Sequence, residues 1–266
     1  MPLFDSRLKR MYLSRWAPTY SSTLFSYIIP DFLERFSFYP TRQWNHLLDV
    51  GSPTDQVAQA LMAREDVDWV CRIHPAVQKS ESARPIGFCI GDEEHLPVVP
   101  GSFCGAFSLL SLQGVSDLPG TLHQIRTSLK DQGIFLGCLL GGTTLTELRQ
   151  SFAAAEQELY GGMNARVAPL ITWRDLGDCL THVGFSQPVI DRDTLTKTYP
   201  SPRALMEDLR RMGLANTLSS RSRTFMSQRL LQNVCSFYTK HFPALAPNHT
   251  GAITTTFEVL WFSARV

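Results

Sequence analysis

The chain has 266 residues, of which 44% are hydrophobic, 11% aromatic and 18% charged, and its 25 basic against 24 acidic side chains leave a net charge of +1. That length suits one large domain or two small ones and lets roughly 70–75% of the unfolded surface be buried, so a core forms without disulfides or metals. The aromatic content and low charge exclude a disordered chain, the charge balance excludes a nucleic-acid binder driven by phosphate neutralisation, and no apolar run approaches the roughly 20 residues that span a bilayer.

Residues 4–40 are polar and aromatic, and the helical spacing of Leu24, Ile28, Phe32 and Phe36 predicts one or two helices ended by Pro40. Trp44–Val50 is then a short apolar run stopped by Gly51, the pattern of a buried strand. Ser52, Pro53 and Asp55 read as a helix start, with Ser52 the N-cap, Pro53 the first helical residue and Asp55 the acid three after the cap. Val57, Ala58, Leu61 and Met62 give that helix an apolar face. Further strands are expected at 69–73, 86–90, 104–110 and 133–140, with a helix over 118–129. Helices follow from Thr144 (with Glu147 completing a capping box), from Thr172 (with Asp175) and from Ser201, with Gly184 and Gly213 as stops for the last two. A sixth strand at 187–195, an amphipathic stretch over 224–242 and a closing strand at 253–264 complete the order. The Ser- and Arg-rich segment 213–223 is the poorest candidate for order.

Strands alternating with helices at spacings of 17–30 residues predict an α/β fold, a mostly parallel Rossmann-like sheet with helices on both faces. Near-continuous apolar strands fit a sheet covered on both sides. The expected organisation is a single domain: a helical cap over 1–42, a cofactor-fold core over 43–142, a helical insert over 143–252 and a closing strand over 253–266.

Six widely spaced cysteines, mostly in apolar runs, read as buried free thiols, and no Cys or His spacing suggests zinc. The seven histidines read as scattered structural or surface residues, with His95, beside Asp92-Glu93-Glu94, kept as an acid–base candidate. Asn248-His249-Thr250 matches a glycosylation pattern that a cytosolic or organellar protein would not use. The N-terminus has no long apolar segment of the secretory type. Its basic Arg7, Lys9, Arg10 and Arg15 suit either a cytosolic start or a short mitochondrial presequence.

A family emerges from the order of motifs. The acidic strand end Asp49-Val50-Gly51, the acidic turn Asp92-Glu93-Glu94 and the terminal strand resemble a class I S-adenosylmethionine methyltransferase fold. The runs 129–133, Gly141-Gly142-Thr143-Thr144-Leu145-Thr146-Glu147-Leu148-Arg149, Tyr199-Pro200 and 206–213 resemble the complex I assembly factor 5 group and its BioC-type malonyl-carrier-protein methyltransferase relatives. That resemblance implies S-adenosylmethionine as the cofactor, if there is one. It implies Asp49, Gly51, Asp92 and Glu93 as cofactor-binding positions. It implies a protein partner, a complex I subunit or assembly factor. The compartment would be the mitochondrial matrix in a eukaryote and the cytoplasm in a bacterium. The group includes both a methyl transferase and a reported arginine hydroxylase.

The chain departs from the family pattern at the cofactor. Where the family has Asp-Val-Gly-Cys-Gly-x-Gly, this chain has Asp49-Val50-Gly51-Ser52-Pro53-Thr54-Asp55. Glycines there let the backbone approach a ligand, and only the first remains. Ile73 takes the place of the acid that accepts the ribose hydroxyls. Gln113-Gly114 replaces His-Trp, and Thr143 replaces an Asp. Three functions follow as expectations: a degenerate scaffold acting through a partner; an active S-adenosylmethionine-dependent methyltransferase or arginine hydroxylase with an atypical loop; or a pocket turned over to a different small molecule. The basic residues Arg203, Arg210, Arg211, Arg221, Arg223 and Arg229 read as a solvated face with helix-internal pairs or as a docking surface.

Overall fold

The computed structural model describes residues 2–16, 24–39, 44–76, 84–244 and 251–266. Pro40 and the Asn248 sequon lie outside the described residues. The elements in chain order are α1 (Ser6–Trp16), α2 (Phe25–Ser37), β1 (Trp44–Val50), α3 (Gln56–Met62), β2 (Val67–His74), β3 (Gly87–Ile90), β4 (Phe103–Leu109), α4 (Leu118–Ser128), β5 (Leu129–Leu140), α5 (Thr146–Tyr160), α6 (Trp173–His182), β6 (Ser186–Tyr199), α7 (Pro202–Arg211), α8 (Gln228–His241) and β7 (Ile253–Arg265).

The strands form one seven-stranded sheet in the order β3-β2-β1-β4-β5-β7-β6. The first five pair in parallel, and β7 runs antiparallel to both β5 and β6. This is the expected mostly parallel α/β sheet. Its core strands are buried on both faces: every residue of β4 is buried, as are Leu47–Val50. Alternate residues therefore serve opposite faces. Leu47 joins Phe32 and Phe36 of α2, Leu61 of α3, Phe152 of α5 and Val234 of α8 in one core. Leu48 joins Leu122 and Ile125 of α4 and Leu176 and Leu180 of α6 in the other. Ring contacts between Phe32 and Phe107 (5.5 Å between centroids) and between Phe36 and Trp44 (5.0 Å) fasten α2 to the sheet.

Several local expectations hold. Thr172 and Ser201 cap α6 and α7 by accepting from Asp175 N and Ala204 N, each at 3.2 Å. Gly184 and Gly213 follow those helices with φ of +94° and +73°, the left-handed turn that favours glycine.

Three do not. Ser52 is no N-cap: α3 begins at Gln56, because the Ser52 and Thr54 carbonyls turn inward to a buried arginine. Thr144 and Glu147 form no capping box. Both reach β7 instead, Thr144 Oγ1 donating to Glu258 O (3.2 Å) and Glu147 accepting from Thr256 N (3.2 Å). The 213–223 segment is tied to the N-terminus, with Asp5 N on Thr217 O (2.8 Å), Ser219 N on Leu3 O (2.9 Å), and Thr217 and Leu218 buried.

Candidate functional site

From β1 the chain moves outward to β2 and β3, then returns to the other side of β1 as β4. The strand order reverses there, and in open α/β sheets ligands bind at the carboxyl ends of the strands at such a point. Gly51 leaves β1 with φ +72° and donates its N–H to Ile73 O at 2.8 Å. A side chain at 51 would meet Glu93, with Oε1 2.5 Å from where Cβ would stand. Close packing thus adds to the backbone conformation in demanding glycine.

Beneath the loop lies an ion pair. Asp49 and Arg72 are opposite one another in the β1–β2 register. Arg72 Nε lies 2.6 Å from Asp49 Oδ2, with both side chains at most 2% exposed. Its Nη2 donates to Ser52 O (2.8 Å) and Thr54 O (2.9 Å). Asp49 Oδ1 accepts from Ser52 N (3.2 Å), and Ser52 Oγ accepts from Leu109 N (3.2 Å). Burial pushes the Asp49 carboxyl above its ordinary range against the pull of Arg72.

Above the loop lies a second pair. Lys9 of α1 reaches Glu93 Oε1 at 3.1 Å and the Gly114 carbonyl at 3.4 Å, and the Ser111 hydroxyl donates to the same carboxylate oxygen. Burial raises the Glu93 carboxyl, but Lys9 and Ser111 more than reverse this and hold it below its ordinary value. Ile73 is buried in the α4–α6 core. His74 is buried with Nδ1 against Ala76 N (3.1 Å) and Ala76 O (2.9 Å), and burial lowers its pKa to about 4, so it is neutral at pH 7.

A pocket of about 90 Å³ opens beside Gly51, Pro53, Glu93, Ser111 and Gln113. Its far wall comes from α1 and from residues 167–170 and 212–217. That wall is anchored by Glu156, fully buried, which accepts from Arg166 Nε (2.7 Å) and from Asn164 N (2.7 Å).

Of the four candidate residues, Gly51 and Glu93 line this pocket, and Asp49 lies under the loop with Arg72. Asp92 does not line it. Its Oδ1 accepts from Glu94 N (3.0 Å) and its carbonyl from His95 N (3.0 Å), so the pair forms a turn that leaves His95 exposed. Sequence reasoning missed Arg72, Lys9, Gln113 and the Glu156–Arg166 anchor. Two of them carried a signal: Arg72 as a charge inside an apolar strand, and Gln113 as a departure from the family's His-Trp. Arg211 pairs with Glu207 (2.8 Å) as a helix-internal pair, whereas Asp208 accepts from Tyr199 OH (2.8 Å) and Arg221 pairs with Asp5 (3.3 Å). Among the described residues, no cluster of His, Cys, Asp and Glu could hold a metal, and no helix is long and apolar enough to cross a membrane. Cys104 and Cys138 are buried and the other four thiols half-buried, all unpaired.

No family model matches the chain. It is 32% identical over 265 residues to the mouse mitochondrial arginine-hydroxylase NDUFAF5, covering 97% of this chain and 75% of that protein. It is 33% identical over 231 residues to the malonyl-[acyl-carrier protein] O-methyltransferase of Xylella fastidiosa, covering 84% and 76%. In fold it is similar to a methyltransferase-like protein of Bacillus halodurans, with a TM-score of 0.57 at 14% identity over 89% of this chain and 98% of that one. It is also similar to phosphoethanolamine N-methyltransferase 2 of Haemonchus contortus solved with S-adenosyl-L-methionine, with a TM-score of 0.52 at 19% identity over 89% and 51%. A shared third of the sequence along three quarters of both curated relatives, on the sheet of the class I methyltransferases, places the chain in the S-adenosylmethionine-dependent methyltransferase-like family of NDUFAF5 and the malonyl-[acyl-carrier protein] O-methyltransferases.

Proposed function

We propose that this chain is a catalytically degenerate member of its family that acts as an assembly or scaffold factor through a protein partner. By the family resemblance, the process is respiratory complex I biogenesis and the partner a complex I subunit or another assembly factor. It would work in the mitochondrial matrix in a eukaryote and in the cytoplasm in a bacterium. The reading rests on Arg72: its guanidinium takes up Asp49 and the Ser52 and Thr54 carbonyls. The loop that would approach a nucleotide is thereby spent on internal bonds. Three further features agree. Ile73 offers no acceptor to a ribose, Pro53 offers no N–H, and Ser111 and Glu93 pack directly against Gly51. These residues do not suit S-adenosylmethionine.

The test is a thermal-shift titration with S-adenosylmethionine, checked by calorimetry. Ligand at about 100 times its dissociation constant adds roughly 2.7 kcal/mol, a rise of about 5–10 °C for a chain this size. The scaffold reading expects no rise at millimolar ligand from well-folded protein. A rise at sub-millimolar ligand overturns it and supports the second reading, an active methyltransferase or protein-arginine hydroxylase with an atypical loop. The enzyme names of the relatives and the pocket beside Gly51 favour that alternative.

A further inference from the structure

Among the described residues, two buried side-chain polar atoms have no hydrogen-bond partner, Glu93 Oε2 and Gln113 Oε1. Both residues line the pocket beside Gly51. Both atoms are acceptors. The Gln113 amide is oriented by its Nε2, which donates to Leu110 O at 2.7 Å and leaves the oxygen as the unpaired end. Glu93 is 1% exposed, and its other oxygen already accepts from Lys9 and Ser111. Buried acceptors without donors are costly and are rarely retained in pairs. The rest of the wall includes Leu13, Leu110, Leu145, Leu170, Met212 and Leu214.

We propose that this pocket binds a small molecule with a primary ammonium head and a short apolar body. The head donates to Glu93 Oε2 and Gln113 Oε1, and the body lies against the leucines. An ammonium carries three donors and no acceptor, so it satisfies both oxygens without burying a lone pair of its own. A carboxylate head would set its oxygens against two acceptors. Among the described residues that line the pocket, the one cation is Lys9, already held by Glu93 and the Gly114 carbonyl. A hydroxyl has one donor for two sites. The inference concerns this pocket alone, and its probes are simple amines, so its failure is separate from a failure of the scaffold reading.

The experiment is calorimetry and thermal shift on the full chain with butyl-, pentyl- and hexylammonium, against hexanol and hexanoate at equal concentration. The expected result is saturable binding of the amines, tightening about three- to fourfold per methylene, with hexanol and hexanoate at least tenfold weaker. Gln113→Leu, which leaves the Lys9–Glu93 pair in place, should weaken hexylammonium about tenfold. Leu170→Trp, which fills the pocket from its apolar side, should abolish binding. Equal binding of hexanol or hexanoate would overturn the proposal by showing apolar filling alone. So would no saturable binding of any amine, or amine binding unchanged in both folded variants.

Discussion

Asp49 and Arg72 stand opposite each other on neighbouring parallel strands and close a 2.6 Å ion pair that solvent does not reach. Period-two alternation puts both on the α2–α3 side of the sheet, beneath the loop they organise. Removing one partner of a buried pair leaves an uncompensated charge, which costs about 3–5 kcal/mol. Arg72→Met and Asp49→Asn should each lower stability by about that much. The double variant should be more stable than the sum of the two by about 2 kcal/mol. Denaturant midpoints of the four proteins measure the coupling, and strictly additive costs would remove the pair from its organising role.

This pair also marks where sequence legibility ends. The sheet could be read because each core strand is an apolar run closed by glycine or a turn, and because Thr172 and Ser201 cap through residues three positions away. Ser52-Pro53-Thr54-Asp55 satisfies the same local rule and fails. The competitor for its carbonyls is Arg72, which no local pattern connects to it. Thr144 and Glu147 fail likewise, drawn to β7 more than a hundred residues on. Lys9 and Glu93 meet across 84 positions, and the 213–223 segment gains order from Leu3–Asp5. Asp49 and Gly51 stand out as candidates in the sequence because they lie at the end of an apolar strand. Their bonding was hidden because it runs between strands and from α1, where spacing carries no information.

His74 makes the stability depend on pH. Burial lowers its pKa from 6.5 to about 4, so the unfolded chain binds a proton between those values that the folded chain refuses. Stability therefore falls as pH drops through that window, by up to about 3 kcal/mol at pH 4, and the contribution is constant above pH 7. Lowered carboxyl groups such as Asp66, held by Arg64 below its ordinary 3.8, lose their contribution only as pH falls below that value, more acid than the His74 window. The variant His74→Asn separates the two. Urea unfolding from pH 7.5 to 4.5 should show a shallower loss in the variant than in the native chain. Parallel curves would mean that His74 takes up its proton in the folded state as readily as in the unfolded one.

Glu156 and Arg166 fix the wall that faces the loop. Glu156 is buried on α5 and accepts from Asn164 N at 2.7 Å, from Asn164 Nδ2 at 3.2 Å and from Arg166 Nε at 2.7 Å. These bonds hold a loop with little regular structure so that Val167, Ala168 and Leu170 line the pocket. Glu156→Ala removes every one of them and leaves Arg166, 18% exposed at its side chain, without its carboxylate. The cost should be about 3 kcal/mol. Because the bonds hold the loop rather than the sheet, part of the loss should appear as local opening. Limited trypsin digestion should cut after Arg166 several-fold faster in the variant, at temperatures where the rest of the chain stays folded. Glu156→Gln keeps the shape and two acceptor-side contacts and should fall between the two. A melting temperature and cleavage rate unchanged in both variants would show that the wall is held by its apolar contacts instead.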